Sequence, residues 1–352
     1  MNRKERRAAA KQARSGDSKN LGVAAAKVNE AITLAQAGKY AEAESLLEAA
    51  QRINPDDPEL KHQLGMIYVR SGRSIEGQQL LREALEVRPN EALYWSNLAA
   101  AYLSVEMSEP AIEAAQRAVG LQPNYPEALQ NLAFAFRDLG RHQEAAEAFA
   151  RINASTSLEP SSLASWGESL GQTRRFAEAE QIVRRALDRA PDDAAILTLL
   201  GWILIEQRKE HEASEVFKRS LDLNANQFLA AFNYGILLLK TPDKAGALRW
   251  LRRATSIDIR SGAAWRVLAL ELARNGHNEE AMPAAERAAR LLPDDEAIAK
   301  LVRRLKGQEE PSAVFDFSEP TPIGPDASPS GNREKEAGES GVHDFSTINF
   351  GD

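Results

Sequence analysis

Six residues separated by 34 positions, or by a multiple of 34, carry the first chemical signal: Asn29, Gln63, Asn97, Asn131, Ser165 and Asn233. Five of them end in a carboxamide. A carboxamide offers N–H donors and a carbonyl acceptor, so one side chain can pair with both polar groups of an extended peptide backbone. A row of such groups reads backbone shape rather than side-chain sequence. The alternative is that Asn is tolerated on a solvated face, or caps a neighbouring helix. An apolar set recurs in the same frame: Phe134, Trp202, Ile205, Phe232, Ile236, Leu239 and Leu270. Catalytic signatures are thin. GESLG at 167–171 matches G-x-S-x-G, but that nucleophile elbow requires a strand-turn-helix context. The motif H-E-x-x-H, the P-loop and G-x-G-x-x-G are absent. There are no cysteines and five scattered histidines, which leaves no thiol nucleophile and no His-rich metal site. The expectation is a non-catalytic protein with no cofactor.

The elements that must position these residues are repeated. Pro55, Pro89, Pro123, Pro191 and Pro293 are separated by multiples of 34. With that mark set as position 32, position 8 reads Ala31, Gly65, Ala99, Ala133, Gly167, Gly201, Gly235 and Ala269. Position 20 reads Ala43, Gly77, Ala111, Ala145, Ala179, Ala213, Ala247 and Ala281. Every slot is small. Positions 4, 7, 8 and 11 have helical spacing and form one apolar stripe, and positions 20, 24 and 27 form a second. Small residues at 8 and 20 let the two helices of a repeat approach closely. Gly38, Gly72, Gly140 and Gly276 fall at position 15, where a turn must separate them. One hairpin alone leaves an apolar face open, so the repeats must stack.

At 34 residues, with Trp95, Leu98, Ala99, Tyr102, Ala111 and Pro123 in the third unit, the pattern resembles the tetratricopeptide repeat. The resemblance covers 24–295 as eight repeats and implies an all-α solenoid. It also implies that positions 2, 5, 6, 9, 12 and 13 line an inner groove that takes extended peptides. On that reading Asn97, Asn131 and Asn233 meet a ligand backbone, while Phe134, Trp202, Phe232 and Ile236 take its apolar side chains. The competing reading of the apolar set is tight packing between neighbouring helices. The chaperone-binding subfamily holds a terminal carboxylate with Lys at position 5 and Asn at position 9. That pair is absent here.

Charge divides the rest of the chain. Residues 1–20 carry a net +5 and residues 307–352 a net −8, against −7 for the whole chain. The acidic balance argues against a general nucleic-acid binder. No apolar run reaches the length of a membrane span, and no apolar stretch follows the basic start as a secretory signal requires. The expected setting is therefore cytoplasmic. The start MNRKERRAAAKQ is similar to that of many bacterial repeat proteins, some fused to glycosyltransferases. The tail has Pro311, Pro320, Pro322, Pro325 and Pro329 among many Gly and Ser, and reads as disordered. Yet it holds Phe315, Phe317, Phe345 and Phe350, and VFDFS at 314–318 echoes VHDFS at 342–346. Phe315, Asp316, Phe317, Asp344 and Phe345 therefore read as docking motifs. Both copies continue into Ile and Gly: Ile323–Gly324, then Ile348 and Gly351.

The expected organisation is a basic segment 1–23, repeats over 24–295, a capping helix 296–306 and an acidic tail 307–352. The expected function is a scaffold that binds extended or amphipathic protein segments in its groove, with its own tail as competitor. The partner is a protein or peptide rather than a small-molecule substrate. The rival is an accessory or targeting subunit of a separately encoded enzyme such as a glycosyltransferase.

Overall fold

The computed structural model describes residues 22–153, 157–308 and 320–325. The basic start and the tail residues Phe315, Asp316, Phe317, Asp344 and Phe345 lie outside the described residues. Regular structure among those described is helical throughout. Helix α1 occupies 22–36. It is followed by α2 (Tyr40–Gln51), α3 (Pro58–Arg70), α4 (Ser74–Val87), α5 (Ala92–Leu103), α6 (Ser108–Leu121), α7 (Pro126–Asp138) and α8 (His142–Asn153). Then come α9 (Pro160–Gln172), α10 (Phe176–Arg189), α11 (Ala194–Glu206), α12 (Glu210–Leu223), α13 (Phe228–Leu239), α14 (Lys244–Ile257), α15 (Gly262–Arg274), α16 (Asn278–Leu291) and α17 (Glu296–Leu305). The odd helices from α3 onward begin at position 1 of the 34-residue frame, and the even helices at position 17. Helices α1–α8 belong to one compact unit; α9–α17 with 320–325 belong to a second.

Local chemistry explains this register. Position 34 supplies helix caps: the side chains of Asp57, Asp193, Ser261 and Asp295 accept from first-turn backbone N–H groups of α3, α11, α15 and α17. Position 15 adopts the left-handed backbone conformation at Gly38, Gly72, Gly140 and Gly276, and also at Glu106, Arg174 and Arg208, where φ is 60°, 62° and 61°. A side chain there is strained. Arg174→Gly and Arg208→Gly are each expected to raise stability by about 0.5–1 kcal/mol, net of glycine's extra freedom in the unfolded chain. Urea unfolding checks this, and a loss of stability would contradict it.

The small residues do close-packing work between the helices of a hairpin. A Cβ on Gly77 would lie 2.6 Å from Gly65 O, and one on Gly167 would lie 2.3 Å from Val183 Cγ2. Position 26 adds a polar tie. The guanidinium groups of Arg151, Arg219, Arg253 and Arg287 donate to the position-32 carbonyls of Pro123, Pro191, Ala225 and Ile259 in the preceding repeat. The carbonyl survives where proline is replaced by alanine or isoleucine, which explains how the repeat tolerates those marks.

The GESLG segment lies inside α9, where buried Ser169 donates to Ser165 O at 2.9 Å. A mid-helix serine spent on its own backbone has none of an elbow's exposure. Among the described residues no helix is long and apolar enough to cross a membrane.

Candidate peptide-binding face

In the first unit, position 6 ties one repeat to the last. Asn97 on α5 donates its amide to His62 Nε2 on α3, at 2.9 Å. Asn131 on α7 donates to Ser96 O on α5, also at 2.9 Å. His62 and Ser96 both stand at position 5 of the preceding repeat, and both asparagines are 1% exposed. The His62 ring also stacks on Tyr94, with centroids 4.2 Å apart. Glu59 closes this cluster by accepting from the Tyr94 hydroxyl and the Gln63 amide, each at 2.8 Å. Burial pushes the Glu59 carboxyl up, but hydrogen bonding with His62, Gln63 and Tyr94 outweighs it and brings the pKa down to about 2.

The second unit uses the same position differently. Position 5 before Asn233 is Thr198, whose hydroxyl lies 2.9 Å from Ala194 O and 2.8 Å from Ser220 Oγ within its own repeat. Asn233, on α13, instead pairs with residues 320–325. Its Nδ2 donates to Ile323 O at 2.9 Å, and Ile323 N donates to Asn233 Oδ1 at 2.9 Å. One carboxamide thus satisfies both polar groups of a single residue. That pairing requires the N–H and C=O of Ile323 to point the same way, as they do in an extended strand exchanging both bonds with a neighbour.

Trp202, on α11, forms the adjacent wall. A Cβ added to Gly324 would lie 2.8 Å from Trp202 Nε1 and 3.0 Å from its Cε2. At the other edge of the indole, a Cβ on Gly171 of α9 would meet Cζ3 at 2.6 Å. Phe176 of α10 meets the same indole edge-on, with centroids 6.2 Å apart. Ile323 and Gly324 are partly buried, whereas Thr321 is exposed.

Of the other apolar residues of the face, Phe134, Phe232, Ile236 and Leu270 are buried, while Ile205 and Leu239 are partly exposed. Phe232 and Ile236 are each 1% exposed, and Phe134 and Trp202 each 6%. Phe232 stacks on Phe228, and Phe134 meets Phe149 edge-on. The structure therefore brings Asn233 and Trp202 together on one segment of the chain's own tail. Asn97, Asn131 and Phe134 belong to the other unit and are engaged by their own neighbours. Sequence reasoning centred the docking motifs on the tail's phenylalanines and named Ile323–Gly324 only as the continuation of the first copy. The usable signal was the bracketing of this pair by Pro322 and Pro325, which favours an extended chain.

Two family models, both described as tetratricopeptide repeat, match the chain, one at 34–101 and the other at 109–158 and 165–228, together more than half of it. No curated protein matches it. Among solved structures, the Cut9–Hcn1 hetero-tetramer of APC/C superposes with a TM-score of 0.54 at 15% identity, over 76% of this chain. This chain spans 52% of that one's length. PilF from Pseudomonas aeruginosa gives a TM-score of 0.52 at 21% identity, over 66% of this chain and 100% of that one. A tetratricopeptide repeat protein from Parabacteroides merdae gives 0.50 at 18% identity, over 71% and 99%. At these identities the likeness concerns the fold alone. The matched models, the 34-residue helix register and the paired small residues lead to one conclusion: the chain belongs to the tetratricopeptide repeat family.

Proposed function

We propose that this protein is a non-catalytic interaction module whose face around Asn233 and Trp202 takes extended segments of partner proteins, and that its own tail competes for that face. The observation that carries the reading is the two-bond clasp between Asn233 and the backbone of Ile323. A contact to backbone groups alone recognises any chain that reaches it in extended form, which suits a scaffold with several clients. The tail is tethered to the repeats, which raises its local concentration, so a weak contact suffices to keep it engaged.

Selection of a displayed random-peptide library on the full chain, and in parallel on the Asn233→Ala chain, tests this. Peptides enriched on the parent are expected to bind the Asn233→Ala chain at least tenfold more weakly. Equal enrichment on both would overturn the reading.

A further inference from the structure

Resting on that reading, we infer that the face is selective for glycine: its partner is an extended protein segment in which a residue with a free backbone N–H is followed directly by glycine. The chain's own Ile323–Gly324 pair holds the place of such a segment.

Two independent contacts define the requirement. The first is the clasp. Because Asn233 Oδ1 accepts from Ile323 N at 2.9 Å, the residue at that place needs its N–H, and proline cannot fill it. The second is the wall. A Cβ on the next residue would stand 2.8, 3.0 and 3.2 Å from Trp202 Nε1, Cε2 and Cζ2. Such separations require something to move, and the indole has nowhere to go. Its far edge already sits where even the missing Cβ of Gly171 would collide, at 2.6 and 2.8 Å from Cζ3 and Cη2. Phe176 meets it edge-on. The ring is thus fixed between a glycine of α9 and a glycine of the docked segment. With Asn233 fixing the register by one residue, the peptide cannot slide to place a larger side chain elsewhere.

The flanking residues of the docked segment fit the same account. Pro322 precedes the clasped residue and Pro325 follows the glycine. Each proline biases the residue before it towards extended backbone, so Thr321 and Gly324 lose less freedom on docking than they would in an unrestricted chain. A partner segment with proline on either side of its residue–glycine pair shares this advantage. Thr321 is exposed, so its side chain does not enter the selection.

The test uses the full chain carrying Gly324→Val, which vacates the face. Fluorescent synthetic peptides spanning 319–326 are titrated in three forms: the natural sequence, Gly324→Ala, and the natural sequence N-methylated at Ile323. The natural peptide is expected to bind this chain at least tenfold more tightly than it binds the parent chain, whose own segment is in place. The alanine and N-methyl peptides are each expected to bind at least tenfold more weakly than the natural one. Equal binding of the alanine and natural peptides overturns glycine selectivity. If the N-methyl peptide is still weakened in that case, the backbone-reading function stands without it. If all three peptides bind equally, both fail. If none binds while the Ile323 amide of the Gly324→Val chain stays protected from exchange, the valine segment still fills the face and glycine selectivity alone fails. If none binds with that amide unprotected, both fail. Amide exchange measured on the Gly324→Val chain confirms that α9–α16 remain protected, so that a null result is not one of unfolding.

Discussion

Asn131→Ala is expected to cost the fold about 1–3 kcal/mol, whereas Asn233→Ala is expected to cost less than about 1 kcal/mol and to release the tail. The two residues hold the same position in the repeat frame and are both buried, so burial does not distinguish them. Their partners do. Asn131 donates to Ser96 O and lies 3.3 Å from Ser96 Oγ, both on the helix before it in the stack. Alanine there removes a bond between repeats and leaves a buried carbonyl less well satisfied. Asn233 spends its amide on Ile323, 90 residues away in sequence. Alanine there removes a contact to a tethered segment, whose docking stabilises the native state only by its excess of local concentration over its dissociation constant. Urea unfolding reads the first difference. Hydrogen exchange reads the second: the Ile323 amide should exchange at the rate of a free peptide in the Asn233→Ala chain. If Asn233→Ala costs as much stability as Asn131→Ala while Ile323 stays protected, Asn233 is a packing residue and the clasp has no recognition role.

That contrast shows how far sequence spacing carries. The turns between paired helices were readable because Gly38 and Gly72 take a backbone conformation costly to other residues. Position 8 and position 20 were readable because Gly65 and Gly77 lie backbone to backbone, and only a small side chain survives there. The roles of the position-6 amides were not separable by spacing. Asn97 and Asn131 bond back to the preceding repeat, to the His62 ring and to the Ser96 main-chain carbonyl, whereas Asn233 bonds to Ile323, and the same position in the frame holds all three. The apolar face was mixed in the same way. Spacing marks Trp202 and Phe232 as apolar residues of this face but not what covers them: Phe228 stacks on Phe232, while Phe176 and the docked Gly324 close on Trp202. Arg174 and Arg208 at position 15 show the limit on the other side. The turn holds its left-handed conformation even where the sequence withholds glycine, because the helices on both sides over-determine it.

Gly201→Val is expected to remove about 3 kcal/mol from the second unit and to leave the helices of the first unit protected. Gly201 stands at position 8 of α11, facing α12. A Cβ there would lie 2.6, 2.7 and 2.8 Å from Phe217 Cε1, Cζ and Cδ1. Phe217 is fully buried, so it cannot swing away without displacing its own neighbours. Valine adds three carbons where the first already collides, and helix propensity returns well under 1 kcal/mol of the loss. Because a repeat contacts only the repeats beside it, the damage should stay local. Hydrogen exchange should accelerate first in α11 and α12 and then in α9, α10, α13 and α14, while α3–α6 keep their parental rates. The clasp supplies a second readout, since Trp202 follows Gly201 directly and Asn233 lies on the next odd helix. Ile323 should lose protection together with α11. Phe217→Leu in the Gly201→Val chain makes room and should restore part of the loss, so the two substitutions combine less than additively. Uniform loss of protection from α1 to α17 would show that the chain unfolds as one cooperative body. It would contradict the nearest-neighbour account on which local tuning of the Asn233 face depends.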